Sequence, residues 1–148
     1  ASVGSVVGST LYVLLRPKAG LAGTFAICLA AMALGLTTVA LSTNVWGVAL
    51  GTFIALLGGG AFSPNLNSAA MIASPDNPAP TLGLVNALLY GAMILFPLIA
   101  SPIAAQTGGP RGAILVYAAL AALLSGAFVF GGRLRQIPGM SPGAPRSV

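Results

Sequence analysis

The chain has 148 residues, of which 57% are hydrophobic and 5% are charged, and its net charge is +5. Soluble domains carry about 25% charged residues, so the composition excludes a soluble domain and predicts an all-α, polytopic transmembrane helical bundle. The basic residues are scattered at the ends of apolar runs and form no stripe, so we expect no nucleic-acid partner.

The first segment, residues 1–15, is too short to span a bilayer at about 1.5 Å per residue. We interpret it as the last part of a helix whose start is missing, and we expect the chain, which begins at Ala1, to be a piece of a longer protein. Gly4 and Gly8 have the small-xxx-small spacing of closely packed membrane helices. Chance placement in a glycine-rich chain is an equally good interpretation of this pair.

A short basic loop follows at residues 16–20 and contains Arg16 and Lys18. Pro17 is expected to end the preceding helix, and Gly20 allows the chain to turn. The next 22 residues give roughly 33 Å of helix, which matches the hydrocarbon core of a bilayer. The polar cluster at residues 42–44 then predicts a second turn, because one helix through the whole run would be far too long to span.

Four complete membrane spans are predicted in total, and they are separated by loops rich in proline and glycine. We number them the second to fifth spans, because the partial helix at residues 1–15 counts as the first. The residues after 135 are rich in Pro, Gly and Ser, which predicts a disordered tail. The predicted transmembrane domain is therefore residues 1–135, with spans at about 21–42, 45–74, 81–106 and 112–132 and a tail at 136–148.

The sidedness of the chain follows from its basic residues. Alternate loops place Arg111 on one side of the membrane and all the other basic residues on the opposite side. Basic flanks favour the cytoplasm, so we expect an integral protein of the plasma (inner) membrane with a cytoplasmic C-terminus. The five residues on the cytoplasmic side are Arg16, Lys18, Arg133, Arg135 and Arg146.

Amide side chains distinguish the third and fourth spans from the others. Asn65 and Asn67 lie in the third span, and Asn86 and Tyr90 lie four residues apart on one face of the fourth. An amide in hydrocarbon needs a partner or water. We therefore expect the third and fourth spans to line an interior path and the second and fifth to be peripheral. Asn65 and Tyr90 each lie about nine residues, or roughly 13 Å, from the same membrane surface, so we expect them to face a common cavity. Either a substrate path or interhelical hydrogen bonding explains the four side chains.

The third span also contains a glycine run, Gly58, Gly59 and Gly60, followed by Pro64. Glycine removes side-chain packing, and proline removes a backbone hydrogen bond. The stretch is a candidate point of helix bending in a transporter that changes state. Close helix packing with a static kink is the alternative, and the sequence favours neither.

Side chains for catalysis and metal binding are scarce. The chain has no histidine and no glutamate, one aspartate, Asp76, and one cysteine, Cys28. We therefore expect no enzyme, no cofactor and no metal site. Cys28 lies in an apolar run, which favours a small packing residue.

In these features the chain resembles the C-terminal portion of a major facilitator superfamily transporter, over about its last four and a half helices. The basic loop with Arg16 and Lys18 looks like the cytoplasmic loop between that family's eighth and ninth helices, although it lacks the acid usual there. The glycine run ending in Pro64 looks like the tenth helix, and Asn86 and Tyr90 fall in the eleventh.

The resemblance implies the partial second half of a twelve-helix carrier that transports a small solute by alternating access. Its partners would be the lipid bilayer, the remaining helices of the same transporter and a small-molecule substrate of unknown identity. The alternative is a structural or assembly subunit of a membrane complex with no transport activity of its own. Further spans encoded upstream would favour the carrier.

Overall fold

The computed structural model describes residues 3–130 and the side chains of all of them except Ser5. This part of the chain is helical and contains no strand, which confirms the all-α fold class. All the helices are long and apolar enough to cross a membrane, so the protein is an integral membrane protein. The helices are α1 (Val3–Leu41), α2 (Val45–Ala73), α3 (Pro78–Gln106) and α4 (Pro110–Phe130).

The predicted tail at 136–148, together with Arg133, Arg135 and Arg146, lies outside the described residues. The predicted spans 45–74, 81–106 and 112–132 correspond to α2, α3 and, as far as residue 130, α4. Helix α1 contains residues 3–15 of the first segment, the basic loop and the second predicted span as far as Leu41.

Helix α1 consists of two arms joined at Gly20, whose backbone angles (φ 69°, ψ −175°) are not helical. A positive φ is strained for residues with a Cβ and accessible to glycine. We call residues 3–19 the first arm and residues 21–41 the second arm. The prediction of a loop over residues 16–20 is wrong, because helix continues through Arg16 and Lys18 and breaks at Gly20 alone.

The first arm runs parallel to α2. The Gly4 backbone lies against Phe53 and Leu56 of α2, and a Cβ on Gly8 would overlap the carbonyl oxygen of Leu57. Further along, Arg16 donates a hydrogen bond to Asn65. The residue numbers rise together on the two helices, so both chains run in the same direction.

The second arm runs antiparallel to α2. The Leu21 carbonyl accepts a hydrogen bond from Asn65. A Cβ on Gly58 would overlap the Cys28 carbonyl oxygen, and Gly35 lies against Gly51. The residue numbers fall on one helix as they rise on the other. The chain therefore reverses at Gly20 and places α2 in contact with both arms.

The second arm forms the core of the bundle. Leu21 and Thr24 are fully buried, and the Phe25 ring contacts both Phe62 of α2 and Phe128 of α4 at centroid distances of 5.3 and 5.1 Å. The expectation that the second span is peripheral is therefore wrong. The hydroxyls of Thr24, Thr37 and Thr38 donate to backbone carbonyls four residues earlier, as expected of a helix in lipid. The apolar side chains of the second arm nevertheless pack inward.

Helix α3 lies at the outside of the bundle. None of its residues is buried, and side chains such as Ile94 and Leu98 are about 70% exposed (74% and 69%). Helix α4, by contrast, is attached to the second arm by a buried hydrogen bond from Ser125 Oγ to the Ala26 carbonyl, 2.8 Å long. The expectation that the fourth span is interior and the fifth peripheral is therefore not met within residues 3–130.

The helix ends are fixed by local chemistry. Asn44 caps α2 by accepting a hydrogen bond from the Gly47 N–H, 2.7 Å long. Pro78 begins α3, where its missing N–H needs no partner. Between α3 and α4, Gly108 and Gly109 both have positive φ, and the Gly109 N–H bonds the Ala104 carbonyl. This geometry stops α3 and turns the chain into α4.

Two neighbouring glycines of α2 provide a matched stability test. Gly58→Ala forces a methyl group into the Cys28 carbonyl and to 2.8 Å from Met32 Cγ, whereas a Cβ on Gly59 has no atom within 4 Å. We expect Gly58→Ala to destabilise the fold by about 1–3 kcal/mol and Gly59→Ala to stabilise it by up to about 1 kcal/mol through helix propensity. Thermal unfolding of the purified protein in detergent measures both. Equal shifts for the two variants would contradict the packing described here.

Candidate functional site

A cluster of polar side chains lies where the first arm of α1 packs against α2, between the glycine run of α2 and the turn at Gly20. Three features meet there. They are the amide of Asn65, the interruption of backbone hydrogen bonding at Pro64, and an open groove that contains Asn67.

Asn65 is fully buried and links three segments. Its Oδ1 accepts a hydrogen bond from Arg16 Nη1 at 2.9 Å, and its Nδ2 donates one to the Leu21 carbonyl at 3.0 Å. Arg16 lies in the last turn of the first arm, and Leu21 begins the second arm. The Asn65 amide of α2 thus bonds to both sides of the Gly20 turn. These two hydrogen bonds offset the cost of burying the amide.

Pro64 removes a donor from the backbone ladder of α2. A helical residue 64 would donate to the carbonyl of Gly60, and proline has no N–H to do so. The hydroxyl of Ser9 on the first arm donates to this carbonyl instead, at 3.0 Å. In hydrocarbon an unpaired carbonyl is costly, so a donor from a neighbouring helix compensates for the proline.

A groove of about 560 Å³ lies next to this substitute hydrogen bond, between the first arm and α2. Tyr12 on one wall and Ser68 near the other share a 2.7 Å hydrogen bond between their hydroxyls. The groove presents hydroxyl, amide and peptide groups, which suit a polar, uncharged solute. Its lining residues are Ser9, Tyr12, Val13, Gly59, Gly60, Ser63, Pro64 and Asn67.

The members of the glycine run have different surroundings. Gly58 packs against the second arm at the Cys28 carbonyl, and its missing Cβ permits that contact. Gly60 is buried and its carbonyl accepts from Ser9. Gly59 lines the groove, and its Cβ position is open. Close packing is thus found at Gly58, and bending of the helix in this stretch stays a prediction.

Asn86 and Tyr90 lie away from this groove. Asn86 Nδ2 donates to the Leu82 carbonyl of its own helix at 2.9 Å, and Tyr90 is 63% exposed. The matching depths along α2 and α3 suggested a shared cavity for Asn65 and Tyr90, but the structure does not bring them together. Asn65 instead faces the two arms of α1.

The two basic residues of the turn differ in their contacts. Arg16 is half-buried and bonded to Asn65, whereas Lys18 is exposed at the end of the first arm. At the other end of the bundle, Arg111 Nη2 donates to the Ser42 carbonyl at 3.3 Å. The described basic residues are thus divided between the two ends of the bundle.

Sequence reasoning missed the hydroxyls of Ser9, Tyr12 and Ser68. Residues 1–15 were interpreted as the last part of an incomplete helix, and the polar path was expected on the third and fourth spans alone. A usable signal was present in α2, because Pro64 leaves the Gly60 carbonyl without a donor and some neighbouring helix must supply one.

No protein family, curated protein or solved structure matches this chain in the comparisons made.

The role of Ser9 is tested by a double-mutant cycle with Pro64. Ser9→Ala leaves the Gly60 carbonyl unpaired and should destabilise the protein by roughly 1–2 kcal/mol. In a Pro64→Ala background the new Ala N–H pairs that carbonyl, so the same change should cost less than half as much. Thermal unfolding of the four variants in detergent gives the coupling. Equal losses in both backgrounds would show that Ser9 does not act through this carbonyl.

Asn65 and Asn86 form a matched pair of amides for a second test. Asn65→Ala removes two hydrogen bonds between segments and should cost roughly 1–3 kcal/mol. Asn86→Ala removes a bond within one helix turn and should cost less than about 0.5 kcal/mol. The thermal midpoints of the two variants provide the comparison, and protease sensitivity at the Gly20 turn should rise for Asn65→Ala alone. A larger loss for Asn86→Ala would overturn the placement of Asn65.

Proposed function

We propose that the chain is part of a secondary transporter of the major facilitator type, which moves a small solute across the membrane by alternating access. The observation that carries the proposal is the polar groove between the first arm and α2. A bundle that serves only for assembly has no need of an open, hydroxyl-lined and amide-lined groove within its membrane-spanning part.

The position of the groove beside a weakened stretch of helix supports this function. Pro64 interrupts the hydrogen bonds of α2, and a Cβ on Gly59, five residues before it, would have no atom within 4 Å. A carrier must expose one site to each side of the membrane in turn. Bending of α2 at this stretch would change the shape of the groove without disturbing the Gly58 contact one residue away.

The groove suggests the class of solute. The polar side chains in its walls are the hydroxyls of Ser9, Tyr12 and Ser63 and the amide of Asn67. We propose a neutral, polar solute that exchanges hydrogen bonds with these groups. The chain's single acid, Asp76, lies in the loop between α2 and α3, so a proton-coupled carrier would need a titrating group elsewhere.

We further propose the plasma (inner) membrane, with the Gly20 turn on its cytoplasmic side. Arg16 and Lys18 lie at that end of the bundle and Arg111 at the other, and basic residues favour the cytoplasm. With this orientation α4 ends at the cytoplasmic side. The remaining helices of the same transporter would complete the fold.

A structural subunit is the second candidate. It is favoured by the Asn65 and Ser125 hydrogen bonds, which join helices and leave no polar atom for a ligand. Glycine contacts such as that of Gly58 serve packing in the same way. The two candidates differ in whether the groove communicates with both aqueous phases.

Cysteine accessibility separates the two candidates. In a Cys28→Ala background, Asn67→Cys is expressed in the native membrane and treated in sealed vesicles with a charged, membrane-impermeant thiol reagent, applied from one side at a time. Asn67 lies roughly 9 Å from the end of α2 nearest the Gly20 turn and roughly 33 Å from the other end. A carrier in both states should label from both sides. Labelling from the near side alone would contradict alternating access.

Two further cysteines control this experiment. Lys18→Cys should label only from the cytoplasmic side, which also tests the proposed orientation. Leu123→Cys, at a side chain 71% exposed on the outer face of α4, should not react from either aqueous phase because it faces lipid. Reaction of Leu123→Cys would mean that the vesicles or the bundle are not intact.

A further inference from the structure

A second pocket lies on the opposite side of the second arm, between that arm, α3 and α4. Its volume is about 770 Å³ and its walls are almost wholly apolar. Leu29 and Met32 of α1, Ala100 of α3 and Ala121 of α4 are among its lining residues. The polar groove of the proposed transport function shares none of them.

One polar atom in the wall is unusual. The hydroxyl of Tyr117 is buried and has no hydrogen-bond partner within residues 3–130. Its ring is held against Phe96 of α3 at a centroid distance of 4.8 Å. An unpaired buried hydroxyl is costly, so an occupant that carries an acceptor would gain this donor once the Tyr117 side chain turned its hydroxyl into the pocket.

A cation lies at one end of the pocket. Pro110 lines the pocket, and the next residue, Arg111, is exposed at the start of α4 with one guanidinium nitrogen bonded to Ser42. The chain's single acid, Asp76, lies beyond the other end of α3. Arg111 therefore retains donors for an anion at the membrane surface, where a long basic side chain extends toward the headgroups.

The length of the pocket indicates the kind of occupant. Its α4 lining runs from Pro110 to Leu124, a rise of roughly 21 Å. That exceeds the roughly 15 Å of hydrocarbon in one leaflet but is less than the roughly 30 Å that another membrane helix needs. Side chains of a helix lean toward its N-terminus, so Tyr117 leans toward the Arg111 end, where the ester groups of a lipid lie.

We propose that this pocket binds one anionic phospholipid. An acyl chain fills the apolar space between the second arm, α3 and α4, the phosphate pairs with Arg111, and the Tyr117 hydroxyl donates to an ester carbonyl. The bound lipid covers the side of α3 that lines the pocket, from Phe96 to Ala104. This inference does not depend on transport activity.

Lipid binding to the purified full chain tests the proposal. The protein is stripped with detergent and then offered phosphatidylglycerol or phosphatidylcholine with identical acyl chains. Retained lipid is counted by native mass spectrometry and the thermal midpoint is recorded. We expect one phosphatidylglycerol per chain, a raised midpoint and at least fivefold weaker binding of phosphatidylcholine. Equal binding of the two lipids would overturn the role of the anionic headgroup.

Variants at the two polar contacts sharpen the test. Arg111→Gln should weaken phosphatidylglycerol binding about fivefold and leave phosphatidylcholine unchanged, whereas Lys18→Gln, at the opposite end of the bundle, should change neither. Tyr117→Phe should raise the midpoint of the stripped protein, because the unpaired hydroxyl is gone, and should reduce the rise that lipid produces. An Arg111→Gln result equal to that of Lys18→Gln would refute the proposed headgroup contact.

The apolar space is tested by filling it. Ala100→Trp places a large ring in the pocket and should abolish lipid retention, whereas Ala105→Trp, an exposed position of α3 outside the pocket, should not. If Ala100→Trp instead breaks a dimer in light scattering while lipid retention is unchanged, the pocket is occupied by a second copy of the chain and the lipid proposal is wrong.

Discussion

The bundle depends on the reversal of the chain at Gly20 and on the buried amide of Asn65 that holds it. Since lipid supplies no hydrophobic drive for helices to associate, membrane helices associate through close packing and interhelical hydrogen bonds. Here one asparagine bonds the last turn of one arm and the first turn of the next. That contact orients the first arm parallel to α2, brings Ser9 to Gly60 and so builds the wall of the polar groove.

The sequence was sufficient to predict the helical class and the approximate spans. Charged residues at the ends of apolar runs and polar clusters such as residues 42–44 indicated the turns, because neither is stable in hydrocarbon. The exact position of the turn within residues 16–20 was harder to predict from the sequence. Pro17 was expected to stop the helix, but proline removes only one backbone donor, and the break falls where glycine reaches a positive φ.

The partners of the polar residues were not predictable in the same way. Asn65 and Tyr90 were paired by depth, which fixes the position of a side chain along a helix axis but not around it. Asn65 turned out to face the arms of α1, while Tyr90 points outward. The second span was judged peripheral because its polar groups are only hydroxyls, yet Phe25 and its neighbours pack against two helices. The number and position of amide side chains do not reveal apolar packing of this kind.

The Ser9 hydrogen bond to Gly60 has a consequence for how the protein enters the membrane. Ser9 precedes Gly60 by 51 residues, so during synthesis the donor reaches the bilayer before the acceptor does. Helix α2, with its carbonyl left open by Pro64, is therefore released into lipid beside a hydroxyl already in place. Because the helices follow one another in this order, the Gly60 carbonyl of α2 need not remain unpaired in hydrocarbon.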